Sequence, residues 1–200
     1  MANGMDIGHF LHHHESAIQT DSFARNLRPH ESGQVADEFC ACSIPTNRPY
    51  QGVFLVDFAR FTEWPTDAFA DTKSPIVIGI LGADPFGRLL DQSARDESVH
   101  GRRLLVCRYR KVAEIGTCHI LYISRSESGR LSATLTALKG KPVLTVSDIS
   151  GGAGRGMMIE FTELRQNIRF RINPNTARTA RLTLSSKLLR DAEIVDQDQK

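Results

Sequence analysis

The chain has 200 residues, of which 40% are hydrophobic and 7% aromatic, which is enough for one globular domain with a hydrophobic core. Its 25 lysines and arginines nearly balance 23 aspartates and glutamates, and the net charge of +2 is too small to predict binding to nucleic acid or an anionic membrane. No apolar run approaches the roughly 20 residues that span a bilayer, and the N-terminal sequence MANGMDIGHFLHHHE lacks the apolar centre of a secretory signal.

Residues 1–46 are polar, rich in histidine and without sustained periodicity, so we interpret them as a flexible or extraneous leader. The predicted domain spans residues 47–192, and residues 193–200 form a solvated tail. The leader could instead bind zinc or copper, but the entropy lost in ordering a flexible segment opposes this, and we predict no metal site. The ligands in question are His9, His12, His13, His14, His30, Cys40 and Cys42.

An aromatic helix is predicted at the start of the domain, in YQGVFLVDFARFTEWP. Pro65 disfavours a helical backbone at the residue before it, so the helix should end at Trp64. Apolar side chains recur there every three to four residues, which places them on one helical face. These side chains are Val53, Phe54, Phe58 and Phe61.

Four apolar runs predict strands, because each is short, apolar and bounded by turn or polar residues. They are residues 76–81, 104–109, 118–123 and 143–146. Helices are predicted between them, one from the Asp84-Pro85 cap through Leu90 and one from Ser126 to Leu138. This alternation predicts a single α/β domain whose mostly parallel sheet has helices on both faces.

A C-terminal β-hairpin is predicted from residues 157–161 and 168–172, which flank the polar span ELRQN. Asn173-Pro174 then begins a terminal helix that runs toward Ala180. A last apolar cluster follows, formed by Leu182, Leu184, Leu188 and Leu189.

The segment GILGADPFG, residues 79–87, joins a strand to a helix, where a phosphate-binding turn would lie. It matches neither the dinucleotide-binding glycine pattern nor the P-loop, which favours a simple tight turn. A ligand pocket at Gly82, Asp84 and Gly87 is the minor hypothesis, and it gives the alternative function of a small-ligand-binding sensor.

No arrangement of residues predicts a catalytic site, so we predict that the chain is not an enzyme and needs no cofactor. Cys118 and His119 are neighbours on one strand and point to opposite faces, which keeps them from forming a catalytic pair. Glu160 and Glu163 could act as acid and base, but nothing else converges on them and a solvated loop is the better interpretation. No nucleophile elbow is present.

Cys107 lies near the middle of one predicted strand and Cys118 at the start of the next, so adjacent strands could bring them within disulfide range. Both could equally be buried free thiols. Four cysteines are too few for a disulfide scaffold and leave the redox compartment open.

Two apolar groups are candidate partner-binding residues, one on the first helix and one near the C-terminus. Packing in the core is their default interpretation, whereas an exposed apolar patch would indicate a protein-binding face. The candidates are Phe54, Phe58, Phe61, Trp64, Leu184 and Leu188.

Several segments, taken in order, resemble the YfiR-like family of periplasmic repressors: FTEWP, GILGADPFG, CHILYI, KPVLTVSD, and FRIN followed by the leucine-rich ending. The resemblance covers about Tyr50 to Arg190. It implies a non-catalytic periplasmic protein that binds the sensory domain of a membrane-anchored diguanylate cyclase and holds it inactive. Release of repression raises cyclic di-GMP and promotes biofilm, and an outer-membrane lipoprotein can sequester the repressor.

The resemblance also carries Cys118 onto a cysteine seen in the family's disulfides. Its usual partner, in the strand corresponding to residues 76–81, is missing here, so a bridge would need Cys107 as a substitute. A periplasmic location is expected from the resemblance, although the leader lacks a signal sequence. A homodimer is one of the oligomeric states that the sequence allows.

Overall fold

The computed structural model describes residues 48–95, 97–164 and 167–195. Its α-helices are α1 (Arg48–Arg60), α2 (Arg88–Arg95), α3 (Leu131–Leu138), α4 (Pro174–Thr179) and α5 (Ser186–Arg190). Short 3-10 helices lie at Thr66–Ala68, Val112–Glu114 and Arg125–Arg130. The strands are β1 (Thr62–Glu63), β2 (Ile76–Leu81), β3 (Ser98–Val99), β4 (Arg102–Tyr109), β5 (Ile120–Ile123), β6 (Leu144–Ser147), β7 (Ile159–Leu164), β8 (Asn167–Ile172), β9 (Thr183–Leu184) and β10 (Glu193–Ile194).

Eight of these strands form one sheet in the order β10-β8-β7-β6-β5-β2-β4-β3. The adjacent strands β7, β6, β5, β2 and β4 run parallel to one another. The hairpin partner β8 is antiparallel to β7, and the short edge strand β3 is antiparallel to β4. A mostly parallel sheet with a C-terminal hairpin and terminal helices confirms the predicted fold class.

Both faces of the sheet are covered, and the central strand β2 is buried along its whole length. On one face, Ile76, Ile78 and Ile80 pack in the main core with residues of α1 and α2, including Phe58. Successive side chains of a strand point to opposite faces, so Leu81 belongs to the smaller core on the other face. That smaller core also contains Leu121, Ile123, Leu131 and Leu138.

The first helix ends at Arg60, so the predicted end at Trp64 is wrong. The proline rule excludes a helical backbone at Trp64 but does not fix where, upstream of it, the helix stops. Thr62 and Glu63 are extended because they pair antiparallel with the two residues of β9. A pairing partner far along the chain therefore overrides the local helical periodicity.

The second helix begins after Gly87 and not at Pro85, and it continues past Leu90 to Arg95. Gly87 has a φ of +53°, a left-handed conformation that an α-helix does not contain. Asp84 Oδ1 accepts hydrogen bonds from the backbone N–H groups of Phe86 and Gly87, at 2.7 and 3.2 Å. Asp84 therefore closes a local turn and is not the cap of this helix.

The sheet extends beyond the predicted domain end at residue 192. Glu193 and Ile194 pair in parallel with β8, and both side chains are exposed.

Among the described residues, no helix combines the length and the apolar character that crossing a bilayer requires.

Candidate protein-binding surface

The two predicted contact regions meet at a short antiparallel ribbon, which we call the β1–β9 clip and define as residues 61–64 with 183–185. Thr62 pairs with Leu184 and Glu63 with Thr183. The backbone N–H of Ser185 also donates to the carbonyl oxygen of Phe61 at 2.8 Å. The residues that follow the aromatic helix therefore lie side by side with Leu184 of the C-terminal leucine cluster.

The six candidate contact residues differ in how much of each side chain solvent can reach. Phe58 is 1% and Leu188 is 2% exposed, and both belong to the main core. Phe54 packs its ring edge-on against Phe161 of the hairpin, at 6.2 Å between ring centroids, and remains half-buried. The other three, Phe61, Trp64 and Leu184, are half-buried against the main core and lie in the clip.

Exposed charged side chains lie in the clip and close to it in the chain. Arg181 and Asp67 form an ion pair of 2.7 Å, with side chains that are 54% and 60% exposed. Glu63 is exposed on β1. A half-buried apolar centre with a charged, solvated rim is the arrangement found in transient protein interfaces.

Trp64 is held in place by His119, which directly precedes β5. The indole Nε1–H donates to the backbone carbonyl of His119 at 3.2 Å, and the two rings meet edge-on. Phe69 stacks on the imidazole with ring centroids 4.4 Å apart, and the guanidinium of Arg102 lies 3.8 Å from the centre of the Phe69 ring. This stack holds the segment between α1 and β2 against the sheet.

Both ring nitrogens of His119 have backbone partners. Nδ1 accepts a hydrogen bond from the N–H of Val77 at 3.0 Å, so Nε2 carries the proton and donates to the carbonyl of Ala68 at 3.2 Å. Burial lowers the pKa of His119, and the positive charge of Arg102 lowers that pKa further. The imidazole is therefore a neutral structural group, and its partners Phe69 and Arg102 were not apparent from the sequence.

The predicted ligand turn is filled by the chain itself. Gly82 has a φ of +89°, and a Cβ placed there would lie 2.4 Å from Ser126 Oγ. Ser126 Oγ accepts from the N–H of Ala83 at 3.0 Å, and Asp84 is paired with Arg108 at 2.7 Å. The polar groups of the turn thus have internal partners, and this geometry favours a structural role over an anion site.

The two described cysteines are free thiols. They do not lie on adjacent strands, because β2 is inserted between β4, which carries Cys107, and β5, which Cys118 precedes. Gly79 of β2 is the register partner of Cys107, and a Cβ at Gly79 would lie 2.9 Å from Cys118 Sγ. Burial raises the pKa of the Cys118 thiol to about 12, and this thiol donates to the carbonyl of Ile120 at 3.1 Å.

Glu160 is buried, so its predicted position in a solvated loop is wrong. Its two carboxylate oxygens accept hydrogen bonds from the N–H groups of Gly151 and Ala153, at 2.9 and 3.0 Å. It therefore holds the glycine-rich loop that precedes β7. No sequence pattern indicates this role, because the partners are backbone groups.

Over the described ranges, no cluster of three or more histidine, cysteine, aspartate or glutamate side chains is arranged to hold a metal ion. The histidines of the predicted leader and the Cys40/Cys42 pair lie outside the described residues.

The model of the YfiR/HmsC-like protein family matches residues 50–193 of the chain. The matched range contains both strands of the clip, the histidine stack and the two free cysteines. No curated protein matches the chain at a significant level.

Proposed function

Because the chain belongs to the YfiR/HmsC-like family, we propose that it is a non-catalytic regulatory protein of the periplasm. It binds the sensory region of a membrane-anchored diguanylate cyclase and holds that enzyme inactive. Cyclic di-GMP then stays low and biofilm formation is suppressed. The family match over residues 50–193 is the observation that carries this proposal.

The partners follow from the same family membership. The cyclase is the repressed target, and an outer-membrane lipoprotein that sequesters the repressor is the partner that relieves repression. The free thiols of Cys107 and Cys118 mean that the proposal does not depend on a disulfide between them.

We further propose the β1–β9 clip as the surface that contacts the cyclase. Phe61, Trp64 and Leu184 supply half-buried apolar area, and interfaces are enriched in such aromatic side chains at their centre. The exposed pair of Asp67 and Arg181 supplies a polar rim. Phe58 and Leu188 contribute indirectly, because they support the clip from the core.

Binding is tested with the full chain and the purified periplasmic region of a membrane diguanylate cyclase from the same organism. We expect saturable binding in calorimetry, and Leu184→Asp should weaken it at least tenfold, because a carboxylate would be desolvated at the centre of the interface. Light scattering of the same complex establishes whether a monomer or a homodimer binds.

Leu89→Asp is the matched control, because Leu89 is 48% exposed on α2 and lies outside the clip. Circular dichroism verifies that both variants fold. Equal binding by the wild-type chain and Leu184→Asp would contradict the clip as the contact surface while leaving repression intact.

Repression itself is tested in cells. Deleting the gene should raise cyclic di-GMP and biofilm, and expressing the wild-type chain should restore both to the original level. If cyclic di-GMP does not change, and the purified cyclase region does not bind, the proposed function is wrong. The Leu89→Asp variant should complement the deletion as well as the wild-type chain does.

A further inference from the structure

A small cavity lies at the carboxyl end of the parallel strands, apart from the clip. Its volume is about 180 Å³, and it is lined by the segment that follows β4 and by the segment that follows β5. In open α/β sheets, ligands bind at the carboxyl ends of strands, where successive connections diverge. Here the chain leaves β2 toward β4 on one side of the sheet, whereas β5 is followed by β6 on the other side.

The lining of this cavity carries more positive than negative charge. Arg110, Lys111 and Arg130 contribute three cations, and Glu127 contributes one carboxylate. Glu127 is paired with Arg130 at 3.2 Å, and the nearby Glu114 accepts from backbone N–H groups of the β4-side segment. Guanidinium groups are the donors best matched to a carboxylate or phosphate.

One residue that lines the cavity, Thr134, carries a buried hydroxyl group that lacks a partner. Thr134 of α3 is 1% exposed, and its Oγ1 makes no hydrogen bond within the described part of the chain. A buried polar group without a partner costs about 1–3 kcal/mol, so such groups require an explanation. Thr134 lies in the first turn of α3, the end of a helix that favours negative charge.

We propose that this cavity binds a small organic anion. Its carboxylate or phosphate group accepts hydrogen bonds from the Thr134 hydroxyl and from the guanidinium groups of Arg110 and Arg130, while Val112 and Ala133 contact a short apolar body. The cavity is smaller than the roughly 300–1,000 Å³ of sites for drug-sized ligands. The ligand is therefore no larger than a short-chain acid or a small phosphate monoester.

The cavity is next to the Gly82 turn. A Cβ at Gly82 would lie 2.9 Å from Cγ of Glu127, the residue that pairs with Arg130. An anion that draws Arg130 away from Glu127 therefore acts directly on the residues that fill this turn. The proposal concerns the purified chain alone, so it can fail or succeed independently of cyclase binding.

The test is a nuclear magnetic resonance titration of the full chain with sodium butyrate and, separately, with inorganic phosphate, at constant ionic strength. We expect saturable amide shifts confined to residues 110–112 and 127–134 with at least one probe. A response to butyrate alone indicates a carboxylate ligand, and a response to phosphate alone indicates a phosphate ligand. No saturable shift in this region with either probe overturns the proposal.

The diagnostic variant is Thr134→Val, which keeps the shape of the side chain and removes the hydroxyl. It should weaken binding at least tenfold while raising the melting temperature by about 2–4 °C, because a buried group without a partner is removed. Misfolding would lower both quantities.

Arg130→Gln should also weaken anion binding. The control is Lys187→Gln on α5, which removes one positive charge at a residue that does not line the cavity and should leave anion binding unchanged. Equal weakening by Arg130→Gln and Lys187→Gln would mean general charge attraction and would overturn the site. Unaltered binding by Thr134→Val would overturn it as well.

Discussion

His119 and Glu160 each hold one loop against the sheet through backbone hydrogen bonds, but they do so in different ways. His119 uses one nitrogen as an acceptor and the other as a donor, and this requires a neutral ring. Glu160 uses two oxygens as acceptors for two N–H groups. Removing the acceptor should therefore release the loop that Glu160 holds, whereas adding a proton to the ring should weaken the contacts that His119 makes.

The largest expected effect is that of Glu160→Ala, which leaves the N–H groups of Gly151 and Ala153 without their acceptors. Because each buried donor left without a partner costs about 1–3 kcal/mol, the free energy of unfolding should fall by about 3–4 kcal/mol in urea denaturation. The control is Glu193→Ala, which removes a carboxylate from an exposed ion pair. It should change the free energy of unfolding by less than about 1 kcal/mol. A loss of similar size in both variants would contradict the proposed role of Glu160.

The next largest effect is expected from a new disulfide to Cys118, the residue that precedes His119. A Cβ at position 79 would lie 2.9 Å from Cys118 Sγ, close to the separation of about 3 Å that a Cβ–Sγ–Sγ linkage spans. Gly79→Cys should therefore form a disulfide with Cys118, once the half-buried Tyr109 ring has moved aside. Oxidised Gly79→Cys should be more stable than the reduced form by about 2–3 kcal/mol.

Mass spectrometry with and without reductant detects that bridge. The control is Gly79→Cys combined with Cys118→Ser, in which oxidation should not change stability. A bridge to Cys107, the register partner of residue 79, in place of Cys118 would contradict the predicted pairing.

The smallest expected effect is the pH dependence that His119 contributes. Burial lowers its pKa in the folded chain, so below the unfolded value of about 6.5 the unfolded chain binds more protons. The stability that the neutral ring contributes is therefore complete above pH 6.5 and is lost as pH falls toward the lowered pKa. The slope for one group is at most about 1.4 kcal/mol per pH unit.

His119→Gln should remove this slope between pH 6.5 and 5.5, as measured by urea denaturation at each pH. Asp57 titrates with the opposite sign, because burial raises its pKa to about 6, and the stability it contributes is lost as pH rises toward that value. Both chains are therefore compared in an Asp57→Asn background. Parallel pH profiles of the two chains would exclude His119 as the origin of the slope.

The elements of the sheet were predictable because their signals are local. The apolar runs at residues 76–81, 104–109 and 143–146 match strands of the sheet, and the hairpin and the cap at Asn173 also follow from short segments. The order of the strands in the sheet could not be predicted, because it depends on contacts between segments that are far apart in the chain. The insertion of β2 between β4 and β5 separates Cys107 from Cys118, although β4, which carries Cys107, and β5, which Cys118 precedes, are consecutive strands of the chain.

The candidate surface was only partly predictable for the same reason. Helical periodicity identified the aromatic side chains, but it could not tell the buried Phe58 from the half-buried Phe61. The early end of α1 depends on β9, about 120 residues later in the chain. Glu160 binds backbone groups, and backbone groups carry no sequence signature.

The β1–β9 clip makes the proposed contact surface a discontinuous epitope. A synthetic peptide covering residues 50–65 lacks Leu184 and the strand that keeps Thr62 and Glu63 extended. Such a peptide should not compete with the full chain for the cyclase. Conversely, an antibody that recognises the assembled clip and neither segment alone would report whether the surface is intact in the cell envelope.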